Sequence, residues 1–213
     1  MKAKSKVIYT APSEGFWDIP NVNYRGEIGT YRLFEKMTNP MTQDKLAELY
    51  EREKSNERPH PIDSILQFAI MEQVANSGEK DLVSLVRNGL GRDPSNLSRV
   101  IYNPTQLDEA VHNYQTSDEY TLSGNLVGED GWIKDLKNKT PLRLFLGTQG
   151  IKRINKTFEV MTQKLMYLWR FDLKPSEKIE RVVRLGTVDD RFYLCVGWDL
   201  SYKGPAFRVL RVD

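Results

Sequence analysis

The chain contains 213 residues, of which 39% are hydrophobic and 28% are charged. These proportions are typical of a globular protein with its own hydrophobic core, and they exclude a disordered or collagen-like chain. No run approaches the ~18 apolar residues of a membrane span, and the first lysines precede only three apolar residues, so we expect neither a membrane segment nor a signal peptide. The single cysteine, Cys195, excludes an intramolecular disulfide and favours a reducing, cytoplasmic location.

Charge is unevenly divided along the chain. Residues 1–133 carry 14 Lys/Arg and 20 Asp/Glu, a net charge of −6, whereas residues 134–213 carry 17 and 9, a net charge of +8. A basic half can indicate contact with nucleic acid or with an acidic partner, although an excess spread over a solvated surface is the commoner explanation.

Five segments are predicted to be helical, because apolar residues recur in them at helical spacing. They are residues 42–58, 61–77, 80–88, 93–102 and 105–114. Thr42 is a suitable cap for the first, and Pro61 is well placed to open the second. The dipeptide Asp93-Pro94 is expected to begin the fourth. Before them, residues 12–40 are rich in Gly, Pro and Asn, and we predict irregular structure there with room for short strands.

Beyond residue 117 the apolar period changes from helical to alternating, apart from one predicted helix over residues 149–161. Predicted strands cover residues 165–173, 181–187, 191–200 and 206–212, with turns at 188–190 and 201–205. Helix is the alternative for 165–173. We expect these strands to form an antiparallel meander.

The sequence therefore predicts an α+β fold, in which a helical N-terminal and middle region is followed by a C-terminal antiparallel β-meander with one packed helix. The predicted regions are an irregular segment (1–41), a helical region (42–116) and a β-rich basic region (117–213), with one continuous domain as the alternative.

Residue types that carry catalysis are sparse. His60 and His112 are the only histidines, so a three-histidine metal site is excluded, and we predict no metal, cofactor or catalytic residue. Cys195 lies in an apolar strand pattern and is expected to be an inert core residue. Among adjacent acids, Glu129-Asp130 with Lys134 is nearest to a nuclease pattern, but acidic pairs in turns mostly serve hydration and capping.

A glycine-flanked loop, residues 147–150, precedes the helix predicted over residues 149–161. Such a loop could present backbone amides to a phosphate. It lacks the phosphate-loop lysine and the dinucleotide-binding spacing, which favours a simple helix entry.

The segment from Leu85 to Val100 contains a helix end, glycines at 89 and 91, and the run Ser95-Asn96-Leu97-Ser98-Arg99. It resembles the helix-turn-helix of Lac-repressor-like and lambda-repressor-like DNA-binding proteins over about residues 62–103. The resemblance implies a short recognition helix that would contact nucleic acid through exposed polar side chains. The candidate contact residues are Arg92, Ser95, Asn96, Ser98, Arg99 and Tyr102. The segment departs from the family pattern at Val86, Gly89 and Arg92, and a structural helical corner is the alternative.

Nucleic-acid binding, to DNA or RNA and in the manner of a regulator, is the leading functional prediction. A non-enzymatic protein-interaction module is the second, with Trp17, Trp132 and Trp198 as candidate exposed anchors. A metal-dependent hydrolase or nuclease is the third.

Overall fold

The computed structural model describes residues 15–102, 108–113, 118–123, 130–137, 139–169, 176–177, 179–189 and 191–213. Over these ranges the chain forms five α-helices and two sheets, so the α+β prediction is confirmed. Within the same ranges, none of the helices has both the length and the apolar character that crossing a membrane requires.

Three of the helices lie in residues 43–90 and two in residues 140–162. They are α1 (Gln43–Ser55), α2 (Ser64–Ser77), α3 (Lys80–Leu90), α4 (Thr140–Leu146) and α5 (Ile151–Thr162). A single 3-10 turn, Ile133–Asp135, precedes α4. Four of the helices match predicted segments, and α4 was not predicted.

Two sheets account for the described strands. The smaller has the order β1-β2-β11-β3, from β1 (Phe16–Tyr24), β2 (Glu27–Phe34), β3 (His60–Pro61) and β11 (Arg208–Arg211). The larger has the order β6-β5-β4-β9-β10-β8-β7. Its strands are β4 (Ser98–Tyr102), β5 (Asp108–Asn113), β6 (Asp118–Ser123), β7 (Gly131–Trp132), β8 (Met166–Trp169), β9 (Ile179–Val188) and β10 (Arg191–Trp198).

Helix α2 lies at the centre of the core and contacts β1, α3, α4, α5 and β9. Its sequence is apolar on nearly all sides, which suits a helix surrounded by other elements. One cluster of buried side chains extends from Ile19 and Leu33 of the smaller sheet through Phe68 of α2 to Phe158 and Phe192 at the larger sheet. The two sheets therefore share a continuous core around α2.

The N-terminal residues are more regular than predicted, because β1 and β2 form an antiparallel hairpin. Its turn residues Arg25 and Gly26 have φ angles of 54° and 91°, as a two-residue type I′ turn requires. The alternating burial of Trp17, Ile19 and Val22 is interrupted by a register shift between Ile19 and Val22, which obscures the period-two pattern.

The second predicted helix begins later than expected. His60 and Pro61 pair with β11 instead of opening α2. Asp63 caps the helix, since its Oδ1 accepts a hydrogen bond from the Leu66 amide at 2.7 Å.

The helices predicted over 93–102 and 105–114 are wrong. Residues 98–102 form β4, which pairs with both β5 and β9, and residues 108–113 form β5. Asp93 adopts a left-handed φ of 57° instead of capping a helix. The β-branched Val100 and Ile101 suit a central strand, where neighbouring strands satisfy the backbone on both edges.

The C-terminal prediction is correct for local elements and wrong for their arrangement. The β9–β10 hairpin and the strand at β8 are confirmed, although residues 170–173 of the predicted strand lie outside the described residues. The meander is not observed: β8 pairs with β10 in parallel, and β11 joins the smaller sheet between β2 and β3.

Candidate nucleic-acid interface

The residues predicted to read nucleic acid are mostly buried. Four of them, Ser95, Asn96, Ser98 and Arg99, have at most 5% of their residue surface exposed. Arg92 is exposed in the turn after α3, and Tyr102 ends β4 with its side chain outside the described part of the structure. Four of the six predicted contact residues therefore cannot reach a nucleic acid in this conformation.

These buried polar residues bond to one another instead. The Asn96 carbonyl oxygen accepts from Gln43 Nε2 at 2.8 Å, and Asn96 Oδ1 accepts from the Ser98 amide at 2.9 Å. Ser98 Oγ accepts from the Ser64 amide at 3.0 Å and lies 2.9 Å from Ser64 Oγ. The network joins the start of β4 to the first turns of α1 and α2, which is a structural role.

Arg99 forms ion pairs with Asp44 of α1 at 2.8 Å and with Glu180 of β9 at 3.0 Å. Leu97 is fully buried against Leu46 and Tyr50 of α1. The run Ser-x-Leu-Ser-Arg thus leads into strand β4, in which Arg99 is bonded to α1 and to β9. The polar residues of the run face these other parts of the chain.

Neither histidine lies in a described site. His60 is half-buried, its Nδ1 donates to the Pro61 carbonyl oxygen at 2.9 Å, and burial lowers its pKa. His112 belongs to β5, and its side chain lies outside the described part of the structure. Within the described ranges, His, Cys, Asp and Glu form no group of three that could hold a metal ion.

Of the nuclease-like residues, Glu129 is not described, whereas Asp130 and Lys134 are both exposed.

Cys195 is a buried strand residue, as predicted, and burial raises the pKa of its thiol to about 11. Of the three candidate tryptophan anchors, Trp17 is buried in the core, so its predicted exposure is wrong. Trp132 and Trp198 remain partly exposed.

A groove beside the start of α5 is lined by four lysines, Lys134, Lys139, Lys152 and Lys156, and is called the lysine groove below. It is open, has a volume of about 730 Å³, and Glu159 is the one acidic residue in its lining. All four lysines are exposed. The groove exists because the 3-10 turn, the loop before α4 and the N-terminal half of α5 lie together.

The lysines of this groove belong to the most basic segment of the C-terminal half. Residues 134–164 carry eight Lys/Arg and two Asp/Glu, a net charge of +6. Helix α5 also begins without a side-chain cap and without an acidic residue in its first turn, so its dipole adds to the positive potential. The loop at 147–150 serves as the entry to α5.

An aromatic pair lies at the β7 edge of the larger sheet. The rings of Trp132 in β7 and Tyr167 in β8 are 5.2 Å apart at 90°, and the Arg191 guanidinium lies 4.8 Å from the centre of the Tyr167 ring. All three side chains are partly exposed. Trp132 precedes Lys134, the first lysine of the groove, by two residues, and neither aromatic side chain is part of the groove lining.

Comparisons with protein-family models, curated protein sequences and solved structures found no match to the chain. Functional inference therefore depends on the geometry and charge of its own residues. The charge asymmetry of the sequence indicated the basic half, but α4 was missed. Pro141 at the start of the segment, the apolar residues Leu142, Leu144, Phe145 and Leu146, and Gly147 at its end were the available signals.

Proposed function

We propose that this protein binds single-stranded nucleic acid through the lysine groove and the Trp132–Tyr167 pair. The observation that carries the proposal is the charge of the groove itself: four exposed lysines line it, and Glu159 is the one acidic residue in its lining. Lysines in an open groove neutralise successive phosphates and release their counterions, which supplies most of the affinity in sequence-independent binding.

The aromatic pair favours a single strand over a duplex. An exposed ring can stack on an unpaired base, whereas bases inside a duplex are stacked on one another and present only their edges. The helix predicted to enter a duplex groove at residues 93–102 is not observed. Arg191 beside the rings can contribute a further planar surface and a positive charge.

An acidic protein is the second candidate partner, because a basic groove attracts any polyanion. Stacking of a base on an aromatic side chain distinguishes single-stranded nucleic acid from an acidic protein. A polypeptide rich in glutamate would use the lysines and gain little from Trp132, whereas an unpaired base gains about 1–3 kcal/mol from an aromatic side chain.

The decisive experiment is a fluorescence titration with labelled oligo-dT, oligo-rU, a mixed-sequence duplex and poly-glutamate at several salt concentrations. We expect the single strands to bind most tightly, with a logarithmic salt slope of about −0.7 per contacted phosphate. The double variant Lys152→Ala/Lys156→Ala should weaken binding and make the slope shallower by about 0.7 for each lost contact. Lys45→Ala/Lys80→Ala is the matched control, because these lysines are exposed on α1 and α3, away from the groove.

Trp132→Leu provides the second arm. It should weaken binding of single strands and leave both the salt slope and poly-glutamate binding unchanged. Equal binding of poly-glutamate and oligo-dT, with no effect of Trp132→Leu, would favour the acidic protein partner. Absence of binding to single strands at low salt would exclude the proposed function.

A further inference from the structure

A second cavity, lined by three arginines, lies on a different part of the surface. It has a volume of about 430 Å³ and is bounded by the β1–β2 turn, the first half of α2, the end of α4 and the start of α5. Arg25, Arg143 and Arg153 line it, and we call it the arginine cleft. None of its lining residues belongs to the lysine groove. A cavity of this size can enclose a small organic molecule.

The remainder of the lining is mostly apolar. Phe68, Ala69 and Leu146 are buried side chains that form part of the lining, and Ile65 and Leu144 are half-buried beside them. An apolar surface of this kind offers nothing to a bare inorganic ion, but it can cover the planar or aliphatic part of an organic ligand.

Arg25 occupies an unusual position for its residue type. It has a left-handed φ of 54° at the first position of the hairpin turn, where asparagine, aspartate or glycine is preferred. Its Nε donates to Tyr24 Oη at 3.1 Å, and its Nη2 lies 3.5 Å from the buried Asp63 carboxylate. These contacts hold the guanidinium over the start of α2, at the rim of the cleft.

The other two arginines come from the opposite wall. Arg153 of α5 forms a bidentate ion pair with Glu72 of α2, and this pair fixes the position of the Arg153 guanidinium. Arg143 of α4 is exposed and contributes to the lining of the cleft. The lining includes no acidic side chain, because the carboxylates that pair with Arg25 and Arg153, those of Asp63 and Glu72, lie outside it.

We propose that the arginine cleft binds a nucleoside monophosphate. Guanidinium groups from three separate elements suit the several oxygens of a phosphate, which accept more charge-assisted hydrogen bonds than a carboxylate does. The apolar lining accommodates the base and ribose, and the volume matches one nucleotide better than an oligonucleotide. The inference goes beyond the proposed function, because it uses a different cavity and different residues.

Binding is tested by calorimetric titration of the full-length protein with AMP, adenosine and inorganic phosphate. AMP should bind about tenfold or more tightly than either adenosine or phosphate, because only AMP uses both the arginines and the apolar lining. Equal affinity for AMP and phosphate would overturn the proposal by showing a simple anion site. Equal affinity for AMP and adenosine, or no AMP binding at millimolar concentration, would also overturn it.

The location is tested by substitution at Arg143, whose exposed side chain can be changed with little effect on folding. Arg143→Ala should weaken AMP binding by about tenfold, and Arg143→Glu should weaken it further, since a carboxylate repels the phosphate. Arg92→Ala is the control, because it removes the same charge from an exposed position outside the cleft. Unchanged AMP affinity in both Arg143 variants would place AMP elsewhere and overturn the assignment. Lys152→Ala/Lys156→Ala should not alter AMP affinity, which separates this proposal from single-strand binding.

Discussion

The guanidinium of Arg184 forms an ion pair with the carboxylate of Asp93, and Arg184 is fully buried although it carries a full charge. Arg184 Nη2 also donates to the Asp93 carbonyl oxygen at 2.9 Å, and the guanidinium lies 3.7 Å from the Tyr202 ring centre. Tyr193 donates its hydroxyl hydrogen bond to the same Asp93 carboxylate. One aspartate thus compensates a buried cation and joins the loop before β4 to β9 and β10.

Asp93→Ala should lower the free energy of unfolding by about 3–5 kcal/mol, because it leaves the buried Arg184 charge without its carboxylate. Asp93→Asn should cost less, since asparagine tolerates the left-handed backbone and retains a hydrogen-bond acceptor. Urea unfolding followed by circular dichroism measures both losses. A stability of Asp93→Ala equal to that of the wild type would show that the ion pair contributes nothing.

Arg99→Ala should reduce stability by about 1–3 kcal/mol, because Arg99 is a buried residue with charge-assisted hydrogen bonds to Asp44 and Glu180. It should leave affinity for single strands unchanged, since the side chain is only 6% exposed and lies outside the lysine groove. Unfolding and binding titrations of the same variant separate the effect on stability from the effect on affinity for single strands. Loss of affinity in a fully folded Arg99→Ala protein would restore the corner at residues 93–102 as a contact surface.

Local sequence patterns predicted most of the helices. Where these patterns gave a wrong prediction, the reason is strand pairing between residues that are far apart in the sequence. The stripes in α2 and α5 lie within single segments, so their period is readable without the rest of the chain. In residues 97–101, Leu97, Val100 and Ile101 fit a helical face as a local pattern. The strand is formed because β4 pairs with β9, about eighty residues later, and sequence periodicity contains no information about that partner.

The same limit applies to the candidate sites. Counting charges identified the basic half, but the lysine groove requires the 3-10 turn and α5 to lie side by side. The arginine cleft combines Arg25 with Arg143 and Arg153, more than a hundred residues later, across α2. Sequence spacing cannot show such proximity. The Ser-x-Leu-Ser-Arg run gave a specific prediction from local residues, and burial between α1 and β9 explains those residues differently.

Cys195 should react slowly with a thiol reagent in the folded protein and rapidly in urea. Burial raises the pKa of this thiol from 9.0 to about 11, so at pH 9 about 1% is thiolate in the folded protein against about 50% in the unfolded one. Because the folded pKa is raised, the associated stability is present below pH 9 and is lost as the pH rises to 11. Cys195→Ala should lose less stability than the wild type over this interval. Rapid modification of native Cys195 at pH 8 would contradict its burial.

Two glycines near the end of α3 should respond in opposite ways to alanine. Replacing glycine within a helix usually stabilises it by up to about 1 kcal/mol. At Gly89, however, an added Cβ would lie 2.5 Å from Phe207 Cζ, so the buried ring between the helix and the smaller sheet would have to move.

We therefore expect Gly89→Ala to destabilise the protein by about 1–3 kcal/mol through overpacking. Gly91→Ala is the matched control: Gly91 has a right-handed helical backbone, and its nearest contact to an added Cβ is 3.6 Å. It should be neutral or stabilising by about 0.4–1 kcal/mol, because alanine restricts the unfolded chain. Thermal unfolding of the two variants gives the comparison. Equal or higher stability of Gly89→Ala would mean that the close packing of Phe207 on α3 is absent, and that Gly89 merely interrupts a helical pattern.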